Sequence, residues 1–168
     1  MSEPKSFREN LALLFKARFP ILYIESFEEP RVVDEIAAVA TDPSLVRTVR
    51  PVHVWSMTTG FVNADGKAQS GTDDPARAVA WMLRQDDPGV FLMLALHAHL
   101  GDERRPAEPR LVRALRDTAA AFQAGASARV LIIVAPLLRI PAELEKEITL
   151  VDFALPTEGE LRGVLEDM

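Results

Sequence analysis

Val90-Phe91-Leu92-Met93-Leu94-Ala95-Leu96 is the stretch that decides the fold. It is an unbroken apolar run bounded by Pro88-Gly89 on one side and His97 on the other. An apolar run of this length without alternation reads as a strand buried on both faces, which is how strands of a parallel sheet look once helices cover them. Val130-Leu131-Ile132-Ile133-Val134-Ala135, closed by Pro136, repeats the pattern, and Ile21-Leu22-Tyr23-Ile24 after Pro20 is a shorter copy. Residues 45–55 read as extended with a break near Arg50-Pro51, Val52-His53-Val54-Trp55 being the firm part, and residues 148–153 read as a fifth strand.

Helical patterns fill the intervals. Ser6 and Glu9 have the spacing of a capping box, ahead of Phe7, Leu11, Leu14 and Phe15 on one face. A second helix begins near Glu28-Glu29-Pro30, with proline in its first turn and acids at the positive end of the dipole. Val33, Ile36, Ala37 and Ala40 form its stripe. Asp73-Asp74-Pro75 starts a third helix, with Val79, Met82 and Leu83 inward, and Leu111, Leu115, Thr118 and Phe122 mark a fourth. A short turn follows Pro141, and Thr157 with Glu160 repeats the capping-box spacing before Leu161, Val164 and Leu165. Strands alternating with helices predict an α/β fold, a three-layer αβα sandwich around a mainly parallel five-stranded sheet.

With 168 residues the chain fits one domain, residues 1–168, and 48% hydrophobic against 26% charged residues is a globular balance rather than a disordered one. Zero cysteines exclude disulfides, thiolate metal sites and thiol nucleophiles. No apolar run approaches a membrane span, and the polar start argues against a signal peptide, so the expected setting is cytoplasmic, without membrane insertion. Residues 143–168 hold eight acids and two bases, which is the whole net charge of −6. Neither part has the basic surplus of a nucleic-acid binder.

Ligands of open α/β sheets sit at the carboxyl ends of the strands, so the loops there carry any chemistry. A phosphate cradle needs G-x-x-x-x-G-K-[ST] after the first strand, whereas this chain has Ser26-Phe27-Glu28-Glu29-Pro30-Arg31. Two carboxylates stand where phosphate would bind. The central strand ends without the acid that holds magnesium in P-loop ATPases. His97 and His99 have a spacing that an extended loop could turn toward a metal, yet no acid precedes Asp102, and loop histidines are the simpler reading. Ala64-Asp65-Gly66-Lys67 reads as the tight turn of a hairpin tip, not as a calcium loop. No catalytic residue, cofactor or metal is therefore assigned. The uncovered polar loops remain as interaction candidates: Trp55 leading into Thr58 and Thr59, Arg104 and Arg105 in the 97–108 loop, and Glu158 in the acidic end.

Arg18-Phe19-Pro20-Ile21-Leu22-Tyr23-Ile24, Glu28-Glu29-Pro30-Arg31, Val54-Trp55-Ser56-Met57-Thr58-Thr59-Gly60 and Asp74-Pro75 occur in that order. Phe91-Leu92-Met93-Leu94 with His97, Arg113-Ala114-Leu115-Arg116-Asp117, the segment from Ala135-Pro136 to Glu147-Ile148, and Asp152-Phe153-Ala154-Leu155-Pro156-Thr157-Glu158-Gly159-Glu160-Leu161 follow. This ordered set resembles the N-terminal half of the AAA+ ATPases known as a conserved open reading frame of plastid and cyanobacterial genomes. The resemblance covers nearly the whole chain. It implies a degenerate P-loop-NTPase or AAA-like domain without a Walker A loop, followed in a longer parent by the working AAA+ module. The family has an Asp where Ala95 stands and favours a small residue such as Ser where Ala135 stands, and both departures point away from chemistry. The expected role is non-catalytic, in partner recognition, regulation or ring assembly. The partners would be the C-terminal AAA+ module or its oligomer and an unidentified protein. The competing expectations are a scaffold subunit of a larger assembly and an unorthodox nucleotide-binding enzyme domain using Arg31 on phosphate.

Overall fold

The Ser6 hydroxyl accepts the Glu9 N–H at 3.1 Å and so caps α1 (Phe7–Lys16), as the spacing predicts. The computed structural model describes residues 6–153. After α1 come β1 (Ile21–Glu25), α2 (Glu29–Ala40), β2 (Val52–Ser56), β3 (Gly60–Val62), α3 (Pro75–Leu83), β4 (Gly89–Leu94), α4 (Pro109–Ala124), β5 (Arg129–Ala135) and β6 (Ile148–Leu150). The six strands form one sheet in the order β3-β2-β4-β5-β1-β6. Only the β2–β3 pair is antiparallel.

The period of two along each strand divides the core. Leu22, Val90, Leu92, Val130 and Ile132 face Leu11 and Phe15 of α1 and Val32 and Ile36 of α2. Ile21, Tyr23, Phe91, Met93 and Ile133 face Val79 and Met82 of α3 and Leu111, Leu115 and Phe122 of α4. Each large side chain buried this way stabilises the fold by about 1.5–3 kcal/mol.

Four expectations are corrected. The sheet has six strands rather than five, because β3 folds back on β2 as a hairpin. The Asn63 side-chain oxygen accepts the N–H groups of Asp65 and Lys67, each at 3.0 Å, and shapes the predicted tight turn beyond it. Residues 45–51 are not extended: Asp42 accepts from the backbone and hydroxyl of Ser44, and the Arg50 N–H donates to the Ala40 carbonyl at 2.8 Å, which folds the segment against the end of α2. The last strand stops at Leu150. Of the two acidic pairs expected to cap helices, Asp74 accepts the Arg77 N–H at 3.0 Å, whereas Glu28 makes no capping hydrogen bond and pairs with Arg31 instead. The helix expected from Thr157 lies outside the described residues.

Candidate functional site

Because β2, β4, β5, β1 and β6 run parallel, their carboxyl ends and the loops beyond them share one edge. The chain leaves β1 toward β2 and leaves β5 toward β6, so the direction reverses between the adjacent strands β1 and β5. That crevice is the default ligand position of an open α/β sheet.

At the crevice the protein's own groups bond to one another, beside a cavity of about 350 Å³ lined by Tyr23, Glu25, Leu138 and residues 150–153. Only Ser26, Phe27 and Glu28 link β1 to α2. The Ser26 N–H donates to the Ala135 carbonyl at 2.8 Å, and its hydroxyl accepts the Glu28 N–H at 3.0 Å. Arg31 holds the Glu28 carboxylate at 2.8 Å and lies over the Phe153 ring, 4.5 Å from its centroid. On the β5 side, the Tyr23 hydroxyl donates to the Leu137 carbonyl and accepts the Arg139 N–H at 3.2 Å. Burial pushes the Tyr23 phenol up, the Arg139 N–H opposing, so it stays a neutral donor. The link is three residues long, and Arg31 is engaged with Glu28 and Phe153.

Beyond β4 the chain turns at Ala95, whose φ of 59° is left-handed, into a 3-10 turn spanning Leu96–His99. The His97 pKa is lowered, first by burial and then by the charges of Arg139 and His99, with Glu29 opposing. His99 sits 3.3 Å from a Glu108 carboxylate oxygen and its ring meets Trp55 edge-on at 6.5 Å. Among the described residues no three His, Cys, Asp or Glu side chains come together as a metal site.

The candidate interaction residues fall in different places. Trp55 is fully buried, and its indole N–H donates to the Thr72 carbonyl at 2.6 Å. The expectation that it meets a partner is corrected: its ring is core and pins the hairpin. Thr58 and Thr59 are exposed on the β2–β3 turn, where both hydroxyls bond to that of Ser56. Arg104 and Arg105 are exposed, and their N–H groups donate to Asp102 at 2.7 and 2.8 Å, so the carboxylate shapes the loop. Glu158 lies outside the described residues.

Of these residues only Arg105 reaches a groove of about 890 Å³, formed by the 100–107 loop, the first half of α4 and residues 138–143. Composition and spacing missed its other main walls, Arg113 and Arg116 on α4 and Leu138, Arg139 and Ile140 after β5. The available signal was the pair of prolines, Pro136 and Pro141, that brackets the second wall. The same edge exposes apolar side chains: Phe27 after β1, Met57 after β2, and Leu137 and Leu138 after β5. Among the described residues no helix is long and apolar enough to cross a membrane.

A three-layer fold with this sheet and a crevice at the β1–β5 reversal is AAA-like. It aligns, at 11% identity and a TM-score of 0.54, with a chain in the structure of the E. coli MS115-1 HORMA:CdnC:Trip13 complex, covering 94% of this chain and 56% of that one. Residues 7–153 match the model of the SpoVK-like AAA ATPase N-terminal domain, and the chain belongs to that family. It is 28% identical over 162 residues to the AAA domain-containing protein ycf46 of Guillardia theta, covering 95% of this chain and 30% of that protein. The ycf46 protein of Trieres chinensis is 28% identical over 157 residues, with 92% and 29% covered. The chain thus spans under a third of the length of these relatives.

Proposed function

We propose that this domain is a non-catalytic docking unit, which uses the carboxyl edge of its sheet to bind a partner polypeptide or the AAA+ module that would follow it in a longer parent. The three-residue link between β1 and α2, with its Glu28–Arg31 pair, is the observation that supports this most. Where a nucleotide-binding relative would need free backbone N–H groups and a lysine, this chain has Ser26, Phe27 and a Glu28–Arg31 pair. The exposed Phe27, Met57, Leu137 and Leu138 give the same edge an apolar character suited to a protein contact. Partner recognition, regulation and ring assembly are the roles open to such a unit, and the cytoplasmic setting belongs to the same proposal.

Calorimetric titration of the chain with ATP and magnesium, repeated with ADP, tests it. The expected result is no saturable heat at millimolar nucleotide. Saturation near one site, weakened by Arg31→Ala, overturns the proposal and restores the nucleotide-binding alternative.

A further inference from the structure

The amino edge of the sheet, opposite the loops described above, holds a different cavity, of about 470 Å³. It is formed by the end of α1, residues 45–50 ahead of β2, and Ala128 ahead of β5. Lys16, Arg18, Arg47 and Arg50 all line it and no acid does, in a chain whose total charge is −6. None of the four has an ion pair among the described residues. Asp42, at the head of the segment that carries Arg47 and Arg50, turns its carboxylate to Ser44. The negative groups that meet these cations are backbone carbonyls. Arg18 donates to those of Gly125 and Ala126, and one Arg50 nitrogen reaches that of Phe15 at 3.4 Å, near the limit for a hydrogen bond. Arg50 is 6% exposed, and its Nε has no acceptor among the described residues. A buried cation without a counter-charge costs stability, and proteins keep such groups chiefly where function uses them.

We propose that this cavity binds a small organic phosphate, its phosphoryl group held by Arg50, Arg47 and Lys16 and its apolar body set against Ala12 and Leu45. Charge selects an anion, because four cations without a carboxylate leave a positive field that an oxyanion neutralises. The cations come from two separate stretches, residues 16–18 and 47–50, which suits the several acceptor oxygens of a phosphoryl group better than the two of a carboxylate. Arg50 is the fixed member: the buried Phe15 ring backs the cavity, with the Arg50 guanidinium 4.7 Å from its centroid. Lys16 and Arg47 are exposed and can turn onto the ligand. Volume selects an organic phosphate over the bare ion, since about 470 Å³ lies within the range of small-molecule sites and a single phosphate would leave most of it to water. A magnesium nucleotide brings a bulkier body and a phosphate chain whose charge the metal already offsets, and is not the ligand this cavity selects.

The inference stands apart from the docking function, which uses the opposite edge. The probe is phenyl phosphate in metal-free chloride buffer, titrated calorimetrically into the 168-residue chain. Saturable heat near one site is expected, with Kd on the order of hundreds of micromolar. Inorganic phosphate should bind at least about five-fold more weakly for want of the apolar body, and phenol should give no saturable heat. Arg50→Met, which removes the buried charge, should weaken phenyl phosphate at least about ten-fold. Arg47→Glu, at an exposed position, should weaken it as much with the melting curve in place. The exposed Arg77→Glu on α3, away from the cavity, should leave the affinity unchanged. No saturable heat up to about 10 mM phenyl phosphate, binding indifferent to both Arg50→Met and Arg47→Glu, or inorganic phosphate binding as tightly as the ester overturns the inference. Phenyl phosphate carries neither nucleoside nor magnesium, and the nucleotide titration is read through Arg31→Ala on the other edge, so the two readings fail separately.

Discussion

Thr72→Val should be among the most damaging single changes to the hairpin that carries Met57, Thr58 and Thr59. Thr72 is 2% exposed. Its hydroxyl accepts the Phe61 N–H at 2.9 Å and donates to the Gln69 carbonyl at 2.7 Å, while its own carbonyl accepts the Trp55 indole N–H at 2.6 Å. The site is tight: a Cβ on Gly60 would lie 2.5 Å from the Thr72 oxygen. Valine keeps the shape and removes the hydroxyl. The Phe61 N–H, which points away from β2, then lies buried without an acceptor, at about 1–3 kcal/mol; the half-buried Gln69 carbonyl adds less, so the total is about 2–3 kcal/mol. At roughly 2–4 °C per kcal/mol for a chain of this size, Tm should fall by about 4–12 °C. Thr72→Ser keeps both hydrogen bonds and loses one methyl, about 1 kcal/mol. Thermal unfolding followed by far-UV circular dichroism, with fluorescence of Trp55 and Trp81 as a second probe, measures both. A valine variant at least as stable as the serine variant would refute the reasoning, since it would mean the hydroxyl bonds contribute nothing.

The other predictions concern single residues. Ala95 is exposed at a φ of 59°, so Ala95→Gly should raise stability by about 0.5–1 kcal/mol in urea titration. Arg18 has a similar φ of 61°, yet Arg18→Gly should destabilise in the same titration, because its guanidinium donates to the Gly125 and Ala126 carbonyls. His53 stacks on Phe91 at 5.0 Å and burial lowers its pKa, so below about 6.5 the unfolded chain takes up the proton first and stability falls with pH. His53→Gln should flatten that loss between pH 7 and 5 in denaturant melts, His97 supplying the slope that remains. Arg50 is 6% exposed, with its guanidinium 4.7 Å from the Phe15 ring centroid, and burial with nearby Arg18 pulls its pKa down to about 10, leaving it charged at neutral pH. Its Nε is buried without a partner, so Arg50→Met should be neutral or stabilising by up to about 2 kcal/mol in calorimetric melts.

Local patterns carried much of the architecture. The runs ending in β4 and β5 were readable because strands covered on both faces need apolar side chains at every position, and Ser6 and Asp74 were readable because a cap needs an oxygen at a set distance from free N–H groups. β3 was not readable: it is three residues long, and the hydroxyl that shapes its outer edge sits eleven residues away at Thr72. Residues 45–51 misled for a related reason, since the β-branched Val46 and Val49 suggest a strand while the Asp42 turn and the Arg50–Ala40 bond bend the segment back.

The candidate site divides the same way. The lack of a G-x-x-x-x-G-K-[ST] motif after β1 is a matter of adjacent residues, Ser26 to Arg31, and is read in one dimension. The burial of Trp55, the Tyr23 hydroxyl closing over Leu137 and Arg139, and the groove between Arg105, Arg113 and Arg139 could not. Periodicity and capping report on interactions within a few residues, where covalent geometry sets who meets whom. A crevice and a groove are made by segments far apart in the chain, and which of them meet is decided only when the strand order β3-β2-β4-β5-β1-β6 closes the sheet.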